Sequence, residues 1–384
     1  MNQTFRLASK LPNAGTTIFT VMSKLATDLG AINLSQGFPD FDCDPALIDA
    51  VARHMREGRN QYAPMQGVPA LRQAIAAKYE LFHGRRYDAD TEVTVTSGGT
   101  EAIFDAVTAV CGPGDEAIVL EPCYDCYVPA IELSGAMPVV ISLTLPDYRI
   151  DWDALRAAVT PRTRLLIINT PHNPTGAILT AADIAYLKAL VAGTDILIIS
   201  DEVYEHLIFD GAQHESMARH PELAERSFII GSFGKTYHVT GWKAGYAVAP
   251  AALSAEFRKV HQFVTFSTST PMQYALAHMM AAPERLRDLG PFYQAKRDLF
   301  LRLMERSRFR PLPCRGSYFQ LMDYSAITDE PDADFAIRLT REFGVASIPT
   351  SSFLYRSTAP KVLRFCFAKK EDTLQQAAER LSRV

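Results

Sequence analysis

Apolar and polar residues change their spacing twice along the chain, and the changes divide it into three stretches. Up to about Gly30 the apolar pattern is mixed, which predicts an irregular arm. Turn-rich loops follow at 33–40 and 62–67, where Gly and Pro interrupt any period. Residues 46–55 repeat apolar positions at helical spacing, and Pro69 opens a second helix with Leu71, Ile75 and Tyr79 on one face. From Glu92 strand-sized apolar runs alternate with helical stretches. The strand candidates are 92–96, 117–120, 139–143, 164–168, 196–200, 227–231 and 244–249, and the helical stretches include 102–110, 152–159 and 181–191. Such alternation predicts an α/β domain with a mainly parallel sheet covered by helices on both faces. Its functional groups should sit in loops at the carboxyl ends of strands. After about Ala282 the pattern changes again. A long helical stretch, 283–307, precedes short strands at 317–322 and 362–367, with a helix near 334–343 and another from Glu371. The expected division is an arm and part of a small domain at 1–45, a large domain at 46–282, and a smaller α+β domain completed by 283–384.

Composition narrows the function class. With 384 residues the chain exceeds one compact core. A net charge of -4 gives no reason to expect nucleic acid or a membrane surface as partner. The apolar runs are too short for a membrane span, and the first residues lack a signal peptide's apolar core, so cytoplasm is expected. Six scattered cysteines argue against a disulfide framework. Cys123 and Cys126 have metal-pair spacing, but no second pair or nearby histidine completes a zinc site, and no metal is expected.

Candidate chemistry gathers in the loops that follow strands. After the 227–231 run come Ser232, Lys235 and Lys243. A lysine of lowered pKa forms imines, while a hydroxyl and an ammonium suit a phosphate; pyridoxal phosphate presents both an aldehyde and a phosphate. Gly98, Gly99 and Thr100 follow a strand and open a helix, an arrangement that receives anions. Tyr124 offers a ring to stack on a flat cofactor. Asn169 and Asn173, in a loop stiffened by Pro171 and Pro174, offer amide donors to a phenolate oxygen. Asp201 suits a protonated pyridine nitrogen, and Tyr204 shares its face if a helix begins there. His172 reads as a solvated loop histidine. Arg364 lies among apolar neighbours, so its fork serves a substrate carboxylate or a structural Asp or Glu; the residues leave both open.

The segments Gly98-Gly99-Thr100, 169–176, 201–204, 232–235 and Arg364 resemble the class I and II pyridoxal-phosphate aminotransferases of fold type I, and the likeness spans nearly the whole chain. Residues 36–41, 124–127 and 241–243 are similar to the kynurenine–oxoglutarate and glutamine transaminase branch. Residues 15–20, 62–65 and 233–238 most resemble its bacterial methionine-specific members. The resemblance implies that Lys235 is joined to the cofactor aldehyde and shuttles the proton. Asp201 would hold the pyridine nitrogen, Asn173 and Tyr204 the O3′ oxygen, and Tyr124 the ring face. Gly99, Thr100, Ser232 and Lys243 would bind phosphate. Tyr62 would reach the cofactor phosphate of a neighbouring subunit, making a homodimer the working unit. Arg364, the Gly37 backbone, and Asn173 or Asn169 would take the substrate's α-carboxylate. Phe19, with Phe266 and Tyr62, would line the side-chain pocket. Phe19 stands where kynurenine-type members carry tryptophan, which points away from kynurenine. The expected activity is ping-pong transfer of an amino group from methionine or an aromatic amino acid to a 2-oxo acid. Two alternatives remain at this point: β-elimination from cysteine conjugates, and a cofactor-binding module without turnover.

Overall fold

The computed structural model describes residues 8–12, 14–355 and 357–384. Residues 1–7, where the arm begins and where no signal-peptide core was read, lie outside them. Seven strands form the sheet of the larger domain. In space they run Val93–Thr96, Gly245–Val248, Ser227–Ser232, Leu197–Asp201, Thr163–Asn169, Glu116–Glu121 and Met137–Ser142. The four junctions from Ser227–Ser232 to Met137–Ser142 are parallel, and Gly245–Val248 is antiparallel to both neighbours. The sheet is therefore mixed and mainly parallel. Alternation along Thr163–Asn169 shows why its middle, Leu165 to Ile168, is continuously apolar. Leu166 and Ile168 enter a core with Leu71, Ile75 and Leu187, whereas Leu165 and Ile167 enter another with Ala102, Val128 and Phe257. Both faces are covered there, so these four positions leave no room for a polar residue, and Thr163, Arg164 and Asn169 fall at the strand's ends.

The smaller α+β domain carries a four-stranded antiparallel sheet in the order Ile348–Pro349, Val362–Cys366, Phe319–Asp323, Arg310–Pro311. The N-terminal segment joins it by pairing Ile32–Asn33 in parallel with Val345–Ala346. Met22, Ala26 and Leu34 share that domain's core with Phe300, Leu339 and Phe365.

The arm is not irregular. Ile18–Leu29 is a helix, capped by the Thr17 hydroxyl and closed by Gly30 at φ +60°. The stretch expected as one long helix is broken. A 3₁₀ segment, Pro283–Asp288, precedes the α-helix Leu289–Met304. Among the described residues, no helix is long and apolar enough to cross a membrane.

Candidate active site

Asn169, Asp201 and Ser232 are the last residues of three adjacent parallel strands, and the Gly99–Val110 helix begins just past Val93–Thr96. These ends border one cavity of about 300 Å³, whose wall also includes Phe19, Gly37, Thr100, Tyr124, Asn173, Tyr204, Lys235, Lys243 and Arg364. Tyr62 and Phe266 are not in that wall. They stand at the surface as an edge-to-face pair, 5.4 Å between centroids.

One end of the cavity has the shape and charge that suit an anion. Gly98 adopts φ +85°, and a Cβ on Gly245 would lie 2.8 Å from the Gly98 carbonyl carbon. Both positions need glycine, so the turn lies flat on the neighbouring strand. The opening amides of a 12-residue helix then face the cavity with the positive end of its dipole. Lys243, held at φ 51°, runs alongside Gly98.

Lys235 follows Ser232 in the short helix Phe233–Thr236. Its Nζ donates to the Gly37 carbonyl at 3.3 Å and lies 5.6 Å from the ring centroids of both Tyr204 and Tyr318. Burial lowers its pKa to about 8, with Lys243 and Arg364 adding repulsion and Cys366 and Asp201 opposing it. The amine is thus poised to lose its proton near neutrality. Tyr318, absent from the sequence candidates, also donates its hydroxyl to the Gly37 carbonyl.

Asp201 is buried. It accepts from the Tyr127 hydroxyl at 2.5 Å and from the Val203 N–H at 3.3 Å. Burial raises its pKa to about 6 against those bonds and the Lys235 charge. A cationic ring nitrogen beside it would restore the carboxylate. No helix starts at Asp201; residues 203–206 form a turn, which still places Tyr204 in the cavity wall. Burial pushes the Tyr204 phenol well up, so it remains a neutral donor.

The two loop amides separate in role. Asn169 donates Nδ2 to the Asp201 carbonyl at 2.8 Å and accepts the Asn173 N–H at 2.7 Å, so it braces its neighbours. Asn173 Oδ1 accepts from Arg364 Nη1 at 2.8 Å. Arginine only donates, so the Asn173 oxygen faces it and the amide nitrogen is left for the cavity. Arg364 is 1% exposed. It donates Nη2 to the Ser35 carbonyl at 2.8 Å and packs 3.8 Å from the Phe319 centroid, with Phe353 at 5.0 Å and Phe19 at 5.3 Å. Burial lowers its pKa to about 10, so it stays charged at neutral pH. Among the described residues no carboxylate pairs with it, and its buried Nε finds no partner. His172 is buried rather than solvated. It contacts the Thr175 hydroxyl at 2.7 Å and is kept neutral by burial, which lowers its pKa to about 4.

These groups fit pyridoxal phosphate. The opening turn of a helix closes one end, a near-neutral amine and a buried carboxylate lie in the wall, and with them lies Arg364, whose guanidinium has an N–H without a partner.

Comparison with known proteins agrees with the geometry. Residues 30–381 match the family model "Aminotransferase class I and II". The chain is 52% identical to a methionine aminotransferase of Escherichia coli, over 98% of both chains, and 40% identical to a probable N-succinyldiaminopimelate aminotransferase of Mycobacterium tuberculosis, over 97% of both. A solved E. coli structure described as having a methionine aminotransferase function superposes with a TM-score of 0.97, covering 99% of this chain and 100% of that one at 52% identity. The chain belongs to the class I and II aminotransferases, enzymes that use pyridoxal phosphate to carry an amino group from an amino acid to a 2-oxo acid by a ping-pong route.

Proposed function

We propose that this aminotransferase takes methionine and aromatic amino acids as donors. The carrying observation is the count of cations in the cavity wall. Among the described residues these are Lys235, Lys243 and Arg364. The cofactor aldehyde, its phosphate and the substrate carboxylate use all three. An acidic side chain would have no partner, while Phe19, Phe319 and Phe353 offer apolar faces around Arg364. The name of the E. coli relative supports the same preference.

The residues take the roles that their positions suit. Gly99, Thr100, Ser232 and Lys243 hold phosphate. Tyr124 packs on the ring, Asn173 and Tyr204 donate to its phenolate oxygen, and Asp201 keeps its nitrogen protonated. When bound, pyridoxal phosphate supplies an aldehyde for the amino group and a ring that delocalises the electron pair left at Cα. Lys235, once its amine is free and neutral, takes the Cα proton and returns it on the other side of the exchange. Arg364 and the Asn173 amide nitrogen hold the α-carboxylate and so fix which Cα bond faces Lys235. Gly37 supports this end through its carbonyl, which accepts from Lys235 and Tyr318.

The working unit is read as a homodimer, because Tyr62 and Phe263 are 85% and 86% exposed beside Phe266 and Val264. A cytoplasmic setting suits the six free cysteines. The borders 1–45, 46–282 and 283–384 are proposed as the working domain division. A donor screen that follows oxo-acid formation tests the preference. Methionine and phenylalanine should lead and aspartate should trail; aspartate as the best donor overturns it. Pyruvate and ammonia from a cysteine conjugate without any oxo-acid acceptor would instead identify β-elimination as the main reaction.

A further inference from the structure

Outside the cavity, behind the anion cradle, lies a buried charged cluster that the transamination does not use. Glu101 and Asp105 project from the Gly99–Val110 helix, and His261 from the Ala251–Val264 helix. His261 Nδ1 is 2.6 Å from Glu101 Oε1 and 3.5 Å from Asp105 Oδ2, and Nε2 is 3.0 Å from the Met65 carbonyl. A carbonyl oxygen only accepts, and the other Glu101 oxygen already accepts the Ser97 N–H. Both ring nitrogens therefore face acceptors, the arrangement of an imidazolium between a carboxylate and a carbonyl. The groups facing it are Glu101 and Asp105 from one helix and Met65 from the 62–67 loop, with Phe257 of its own helix stacked at 6.3 Å. The carboxylates raise its pKa to about 9 against burial.

We infer that His261, acting through Glu101, is the positioning residue that holds the 97–100 turn in its anion-binding shape. The chain of contacts is short. His261 is fixed to the Met65 carbonyl, and the next residue, Gln66, accepts from the Val95 N–H of the sheet at 3.0 Å. From that anchor the imidazolium fixes Glu101, and Glu101 fixes the Ser97 N–H. Thr96 Oγ1 donates to the Gly98 carbonyl at 3.1 Å and completes the turn. Without the imidazolium, Glu101 loses the 2.6 Å bond that fixes its side chain beneath Ser97 and is left beside Asp105, a second buried carboxyl one helical turn away. The inference rests on the reading that this turn receives the cofactor phosphate.

The test compares pyridoxal phosphate with pyridoxal, which lacks the phosphate, in absorbance titrations of the cofactor-free full-length protein. His261→Gln removes the charge. Glu101→Ala removes the bonds to Ser97 and to His261 together but leaves Asp105 to pair with His261, so it decides the question if His261→Gln does not fold. Loss of one charge-assisted bond at the turn should weaken pyridoxal phosphate by about tenfold or more and leave pyridoxal within about twofold. Thr100→Ala serves as the reference. If it loses phosphate selectivity while the folded His261 and Glu101 variants keep it, or if those variants lose both ligands equally, the inference is overturned and the cradle stands. Unchanged binding in Thr100→Ala itself overturns the cradle reading beneath it.

Discussion

Replacing Arg364 probes how the substrate carboxylate is held. A guanidinium has five N–H donors. Two are taken by Asn173 Oδ1 and the Ser35 carbonyl, each at 2.8 Å, which leaves three, one of them the buried Nε without a partner. A planar carboxylate can take two of these in parallel. Each charge-assisted bond contributes about 1.5–3 kcal/mol net, so losing two costs roughly 3–6 kcal/mol. Arg364→Leu should therefore lower kcat/KM by about 10²–10⁴-fold. Arg364→Lys keeps the charge but not the fork, and one lost bond predicts about 10–100-fold. The carboxylate is bound in both ground state and transition state, so most of the loss should appear in KM. The assay is steady-state transamination with methionine, alongside the primary amine that lacks only the carboxylate. Wild type and Arg364→Leu should process that amine at the same low rate. A kcat/KM for methionine within about threefold of wild type in Arg364→Leu, or an equal loss on the amine, would refute the assignment.

Asp201 carries a prediction with a defined sign. Its folded pKa of about 6 lies above the ordinary carboxylate value, so in the cofactor-free protein it opposes folding increasingly as pH rises from about 4 to about 6. A shift of about two units corresponds to about 3 kcal/mol, so cofactor-free Asp201→Asn should be more stable to urea at pH 8 by up to that amount and unchanged near pH 4, while its turnover collapses. Lower stability of the variant at pH 8 contradicts this. Lys235, with its pKa lowered to about 8 by burial, reacts only as the neutral amine, so cofactor uptake should quicken about tenfold per pH unit below 8 and level off above it. An uptake rate still climbing at pH 10 points to an ordinary lysine. Phe263→Asp, at an 86% exposed position, should yield monomers in sedimentation and weaken cofactor binding. A monomeric wild type would remove the basis for a shared site.

Parts of this fold are open to reading from the chain, and others are hidden for identifiable reasons. Strands such as Thr163–Asn169 are legible because burial on both faces makes their middle, here Leu165 to Ile168, continuously apolar. The Ile18–Leu29 helix carries its signals in Thr17 and Gly30, but buries only Met22 and Ala26, too little for a clear period. Tyr127–Ser134 buries four of its eight residues and shows no polar face in contrast. In Ala251–Val264 one buried position is His261, a polar residue that masks the stripe. The site follows the same division. Lys235, Asp201 and the Gly98–Thr100 turn announce themselves by residue type and by their places after strands. Tyr127 and Tyr318 do not, since their roles rest on contacts to Asp201 and Gly37 across 74 and 281 residues of sequence. That no carboxylate among the described residues pairs with Arg364 is likewise set by what surrounds it in space.

The central claim is that one amine in this chain holds the cofactor. Borohydride reduction of the pyridoxal-phosphate-loaded protein, digestion and peptide mass mapping read that directly. The account predicts a pyridoxyl mass added to the peptide at Lys235, absent in Lys235→Ala. An adduct on Lys243 or another lysine, or the same labelling in Lys235→Ala, would contradict it.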